Sequence, residues 1–250
     1  MQLHFIANAS VASASGRTIP VIDPSDGQPF DEIQRGTADD IDAAVHAARQ
    51  CYHAVWQKMA PADRGRLLQK LSAKILEHAD ELTALERRDC GKPTRQARAD
   101  ALALARYFEF YAGACDKLHG ETIPYPNGYS VLTWREPHGV TGHIIPWNYP
   151  MQIFGRSVGG ALAAGNVCVV KPAEDACLWL IRVAQLAAEV GFPSGALNIV
   201  TGYGHEVGDA LARHPGIAHI SFTGSPKIGT QIQQVAAERH CPVTLELGGK

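Results

Sequence analysis

Five short segments carry residues that could do chemistry: P-W-N-Y-P (146–150), K-P-A-E (171–174), T-G-Y-G-H-E-V-G (201–208), F-T-G-S (222–225) and V-T-L-E-L-G-G-K (243–250). Asn148, held between two prolines, offers an amide with two N–H donors, which suits a developing oxyanion. A turn asparagine that caps the next helix would have the same surroundings. Lys171 and Glu174 together could hold a sugar, the carboxylate accepting from two hydroxyls and the ammonium donating; a surface ion pair is the plainer reading. Gly202, Gly204 and Gly208 form G-x-G-x-x-x-G, glycines that let backbone amides approach a phosphate. Ser225 is placed to cap a helix starting near Pro226, where amides face an anion. Glu246 is a lone acid between leucines, costly in a buried strand unless it has a partner or a task.

These residues need a scaffold that brings them together. Apolar β-branched runs occur at 139–145, 167–170, 197–200, 218–222 and 243–247. Helical segments separate them at about 151–163, 175–190, 205–213 and 227–239. This rhythm predicts an α/β, Rossmann-like fold: a parallel five-stranded sheet with helices on both faces. Ligands in such sheets bind beyond the carboxyl ends of the strands, which is where four of the five motifs stand. Ahead of the sheet, residues 1–36 form an irregular or hairpin lead-in, followed by an N-terminal helical segment at about 39–58, 62–89 and 94–118. Asn127-Gly128 predicts a hairpin over 122–139 that projects from the body. Residues 1–121 and 140–250 then make one dinucleotide-binding domain.

The motifs converge on a nicotinamide-dinucleotide site with an acid or base nearby. Glu174 would repel the extra phosphate of NADP and so favours NAD. The generic Rossmann pattern fails in detail. The glycine turn has one extra residue, and its acid precedes the glycines instead of following them.

Composition excludes other classes. The 250 residues are 46% hydrophobic and 19% charged with a net charge of −2, which leaves no basic field for nucleic acid. No stretch is long and apolar enough to span a membrane. The N-terminus lacks the pattern of a signal peptide. Six cysteines without a C-x-x-C pair read as reduced thiols of a cytoplasmic protein, not as a metal site.

In order and spacing, I-I-P-W-N-Y-P, K-P-A-E, G-Y-G-H-E-V-G, F-T-G-S and L-E-L-G-G-K resemble the aldehyde dehydrogenase superfamily, over essentially the whole chain. The resemblance implies oxidation of an aldehyde to a carboxylic acid through a cysteine thiohemiacetal and thioester, with NAD as cofactor and NADP possible. It gives Asn148 the oxyanion, Lys171 and Glu174 the adenosine ribose, and Gly204 and Ser225 the adenosine and pyrophosphate. Ile145, Trp147, Phe222 and Ile228 would line the groove. Glu246, partly buried, would be the general base that activates water. Met151, Gln152 and Phe154 would line the mouth of the substrate pocket. The hairpin would join an oligomerisation region of a homodimer or homotetramer. One departure stands out: the family's nucleophilic cysteine follows the Glu246 segment in a separate catalytic domain, and none of the six cysteines here matches it. The expectation is a coenzyme-binding half, inactive alone, whose nucleophile lies beyond Lys250. The alternative is a catalytically inactive dinucleotide-binding fragment or decoy subunit.

Overall fold

The computed structural model describes residues 1–249. The lead-in forms four strands, β1 (His4–Ile6), β2 (Ala9–Val11), β3 (Thr18–Ile22) and β4 (Pro29–Gln34). Helices α1 (Ala38–Ala54), α2 (Pro61–Glu77), α3 (Ala79–Cys90) and α4 (Thr94–Ala114) follow. The hairpin strands β5 (Thr122–Ile123) and β6 (Val131–Leu132) come next. The rest alternates: β7 (Val140–Ile145), α5 (Pro150–Ala163), β8 (Val167–Pro172), α6 (Leu178–Glu189), β9 (Leu197–Ile199), α7 (Asp209–Arg213), β10 (His219–Gly224), α8 (Pro226–Ala237) and β11 (Val243–Leu247).

The five expected strands form a parallel sheet in the order β11-β10-β7-β8-β9. The lead-in adds two antiparallel strands at one edge, β1 and β2, making seven. Three-residue strands carry too little alternation to be read from sequence. The long second helix is in fact two, α2 and α3, meeting at His78. The break keeps apolar stripes on both halves against α4–α6.

The chain winds from β7 to β8 to β9, then returns to place β10 on the other side of β7. Helices α5 and α6 therefore cover one face, packed by α2, α3 and α4, while α1, α7 and α8 cover the other. The reversal lies between β7 and β10, the place where open α/β sheets bind ligands. Strands β7 and β8 are almost wholly buried, as expected for the centre of a sheet covered on both faces.

The predicted hairpin is present but short. Thr122 pairs with Leu132 and Ile123 with Val131. Its tip turns from Pro126 to Tyr129, with Gly128 at φ 95° supplying the positive φ that the turn requires. Tyr125, Tyr129 and Trp134 are exposed on it.

Candidate functional site

Register orders the site. In β8, β7, β10 and β11, Lys171, Ile144, Phe222 and Leu245 pair in succession and form one row across the sheet. Paired residues share a face, so this row points towards α7 and α8. A slot of about 300 Å³ opens there, lined by Ile144, Gly204, Phe222, Ile228, Ile232 and Val235. Its walls are mostly apolar. The strand and helix periods both put side chains in it: Phe222 from β10, and Ile228, Ile232 and Val235 from one stripe of α8.

At the end of this row the Lys171 ammonium lies 2.8 Å from a Glu174 oxygen. Lys171 is buried, and Glu174 is half-buried two residues past the end of β8. The pair leaves strand β8 three residues apart, so the carboxylate is fixed by a partner that the strand itself delivers.

The glycine segment follows β9. Gly202 has φ 147°, and a Cβ there would overlap Val207 Cγ2 and approach the Gly36 nitrogen, so glycine is required. Gly204–Gly208 winds as one π-helical turn before α7. Such a wide turn takes up an inserted residue, which accounts for the extra position in the motif. A bidentate pair ties the turn down, Arg35 donating to Glu206 at 2.6 and 2.9 Å. At the start of α8, Ser225 Oγ accepts from the Ile228 amide at 3.4 Å, as a capping residue should.

The carboxyl end of β7 runs into Pro146–Pro150 and then α5. Tyr149 holds the cap position of α5, so Asn148 is not spent as a helix cap. Asn148 and Trp147 are exposed at the sheet edge.

Glu246 departs from expectation. It lies one residue beyond the Phe222 row, paired with Thr223, and so faces α5 and not α8. It is also exposed, at 55% for its side chain; among the described residues β11 is the outer strand of the sheet, paired only with β10. Among the described residues it pairs with Arg156, 3.7 Å away. Together they border a second cavity of about 360 Å³ that includes His143, Ser157, His219 and Ser221. Within it His143 Nδ1 and Ser157 Oγ are 2.5 Å apart, and Ser157 donates to Ser221 at 3.2 Å.

Gly204, Phe222 and Ile228 thus share one slot; Lys171 belongs to the row that feeds it, and Glu174 pairs with Lys171 just past the end of β8. Ser225 and Asn148 stand at the carboxyl edge, and Glu246 lies across the sheet from the slot. Ile145 is buried and does not line the slot; its neighbour Ile144 does. Trp147 also stays outside. Alternation decides this: the last residues of a strand differ in face, and sequence alone does not say which faces α8. Ile232 and Val235 were missed too, although their spacing from Ile228 is a helical stripe. Met151 and Phe154 are fully buried in the core and line no mouth. Gln152 alone borders a surface groove beside α4.

All six cysteines are free. Burial pushes the Cys51 thiol up to about 11 and that of Cys168 to about 12. It raises Cys90, Cys115, Cys177 and Cys241 as well. A nucleophilic thiolate needs the opposite environment. Among the described residues, no helix is long and apolar enough to cross a membrane.

Comparison with known proteins gives a consistent match. The aldehyde dehydrogenase family model matches residues 11–250. The chain is 45% identical to hydroxyisobutyraldehyde dehydrogenase of Mycolicibacterium austroafricanum, covering 99% of this chain and 49% of the relative. It is 43% identical to human retinal dehydrogenase 2, over 98% of this chain and 48% of that protein. Among solved structures, a Burkholderia cenocepacia protein assigned to the same family is 70% identical and superposes with a TM-score of 0.98, over 99% of this chain and 52% of that one. PnpE in complex with nicotinamide adenine dinucleotide is 40% identical with a TM-score of 0.97, over 100% of this chain and 52% of that one. The chain spans about half the length of the curated relatives it matches.

Proposed function

The chain belongs to the aldehyde dehydrogenase family, and we propose that it is the coenzyme-binding half of an NAD-dependent enzyme that oxidises an aldehyde to a carboxylic acid. The observation that carries this reading is the row Lys171–Ile144–Phe222 with the slot beside it. Its chemistry fits NAD. An apolar slot suits a flat adenine, and the half-buried Glu174 carboxylate, held by the Lys171 ammonium beyond the end of β8, suits a ribose diol. The capped start of α8, a twelve-residue helix, suits a pyrophosphate. Relatives bear on the coenzyme as well: PnpE was solved with nicotinamide adenine dinucleotide, and a yeast relative is named aldehyde dehydrogenase [NAD(P)+] 2. Glu174 favours NAD here; NADP use requires that carboxylate to swing aside.

The balanced reaction consumes aldehyde, water and NAD and yields carboxylic acid, NADH and a proton. NAD, when bound, accepts the hydride from the aldehyde carbon. The residues of this chain supply the rest of the environment. Asn148 donates its amide N–H to the substrate oxygen as that oxygen gains negative charge. Glu246, solvated and lightly paired, takes a proton from the water that releases the acid. Neither is buried in the slot, so coenzyme binding and proton transfer are served by opposite faces of the sheet. Burial raises all six thiols here, which speaks against a nucleophile among them. The chain spans about half the length of its relatives, so we assign the nucleophilic cysteine to the part of the family's length that these 250 residues do not cover. We place the enzyme in the cytoplasm, consistent with six free thiols. We assign the exposed aromatic hairpin to a homo-oligomer interface.

Two measurements test the reading. Calorimetry on the 250-residue chain should give saturable NAD binding without turnover. The full-length protein should form NADH when given an aldehyde. Absence of NAD binding by the chain would overturn the coenzyme assignment. A full-length protein inert towards a broad aldehyde panel would leave the decoy reading in its place.

A further inference from the structure

The turn that carries Asn148 is gripped from beneath by a buried ionic cluster. Lys92 follows α3 and donates to Glu86 at 3.2 Å and, more closely, to Asp100 of α4. Glu86 and Asp100 are fully buried and the Lys92 side chain is only 12% exposed. Burial pushes Glu86 up to about 7. A buried triad of this kind is poor value for stability, because desolvation cancels much of the attraction. Its remaining contacts lead elsewhere. Asp100 accepts from Gln152 at 2.6 Å, on the first turn of α5. The Lys92 ammonium lies 4.6 Å from the centre of the Tyr149 ring, a cation–π contact. Tyr149 directly follows Asn148 and caps α5. Gln96 donates to the same Asp100 oxygen as Gln152, Oδ1, at 3.1 Å, while Lys92 holds Oδ2.

Asn148 itself is exposed, so its neighbours set its position. We propose that Lys92 and Asp100 are positioning residues that fix the Asn148 turn through Tyr149 and Gln152. The triad would keep its charges buried because a carboxylate held by an ammonium and two amides gives the turn a single orientation. This inference rests on the reading of Asn148 as the oxyanion donor.

The test uses the full-length protein with Lys92→Met, Lys92→Arg, Gln152→Met and Asn148→Ala. Gln152→Met cuts the link to the turn but leaves the triad paired, which guards against simple unfolding of Lys92→Met. Amide hydrogen exchange is read over residues 153–157, the first hydrogen-bonded amides of α5, starting with Ile153 bonded to the Tyr149 carbonyl, with kcat, KM and NAD affinity alongside. The expected result is at least about tenfold faster exchange confined to that segment in Gln152→Met and Lys92→Met. Their kcat should fall about tenfold or more, as small misplacements of a reacting group allow, with NAD affinity within about twofold of the parent. Lys92→Arg should recover part of the loss. Exchange at 153–157 that matches the parent in both variants overturns the proposal, as does acceleration spread evenly over the chain in both. A wild-type kcat in Asn148→Ala would sink the oxyanion reading instead, while the exchange data would still decide the clamp.

Discussion

Phe222 and Lys171 stand on either side of Ile144 in one row across the sheet, and Glu246 lies one residue past that row on the opposite face. The slot and the carboxylate are therefore independent in packing, although both belong to the carboxyl ends of neighbouring strands. The consequences can be measured.

Glu246→Gln should abolish acid release by the full-length enzyme, by at least about a hundredfold if the carboxylate is the base. NAD affinity of the 250-residue chain should stay unchanged, because the side chain touches no wall of the slot. Stopped-flow kinetics and calorimetry separate the two. Weaker NAD binding in the variant would contradict the two-face arrangement.

Glu174→Gln removes the charge but not the shape. Lys171 then keeps a weaker partner. NAD should bind about tenfold more weakly, the loss of one charge-assisted hydrogen bond. The gap between NAD and NADP should narrow, since the repelling charge is gone. Calorimetry with both coenzymes checks the direction of each change.

Gly202→Ala places a side chain at φ 147° against Val207 and Gly36. Backbone regions reserved for glycine cost a substituted residue about 1–3 kcal/mol. The variant should unfold at a lower denaturant concentration and lose NAD affinity together, because the π-helical turn follows directly. An unchanged denaturation midpoint would show that the turn relaxes freely.

Thiol labelling gives a cheap check on whether any of these six cysteines is a nucleophile. Native protein treated with iodoacetamide near neutral pH should label slowly at all six cysteines, Cys90 included, since burial and its acidic neighbours Asp89 and Glu86 disfavour the thiolate. Denatured protein should label at all six. Rapid labelling of one cysteine in the native chain would identify a reactive thiol that burial argues against.

His143 makes stability pH-dependent. Burial, with His219 as a lesser cause, holds it down to about 3 against 6.5 for the free side chain. Below pH 6.5 the unfolded chain binds a proton that the folded chain refuses, so stability falls as pH drops towards 3. The slope is about 1.4 kcal/mol per pH unit. Glu86 and Asp89, both raised to about 7 by burial, act in the opposite sense as pH rises from the ordinary carboxylate range to 7. The informative quantity is the difference between the parent and His143→Gln in denaturant unfolding at several pH values. The gap between them should close on acidification, and parallel profiles would refute this assignment.

Much of this site was legible before any coordinates. Alternation of apolar runs and helices points to a parallel sheet, because each β-branched run is too short for a helix and is followed by a helical segment long enough for a crossover. Strand-end residues such as Lys171, Glu174, Gly204 and Ser225 could be named because parallel topology puts every strand's carboxyl end on one edge. Those features depend on local period and chain order, which the sequence carries directly. What only the tertiary structure decided is on which face each residue falls. Ile144 rather than Ile145 enters the slot, and Glu246 turns away from it, because register between strands distant in sequence sets the face. The exposure of Glu246 has the same origin: an apolar run reads as buried, but among the described residues β11 pairs on one side only, with β10. The Lys92–Asp100–Gln152 contact joins the start of α4 to α5 across 52 residues of sequence. No local pattern encodes it, since it exists only once the helices pack.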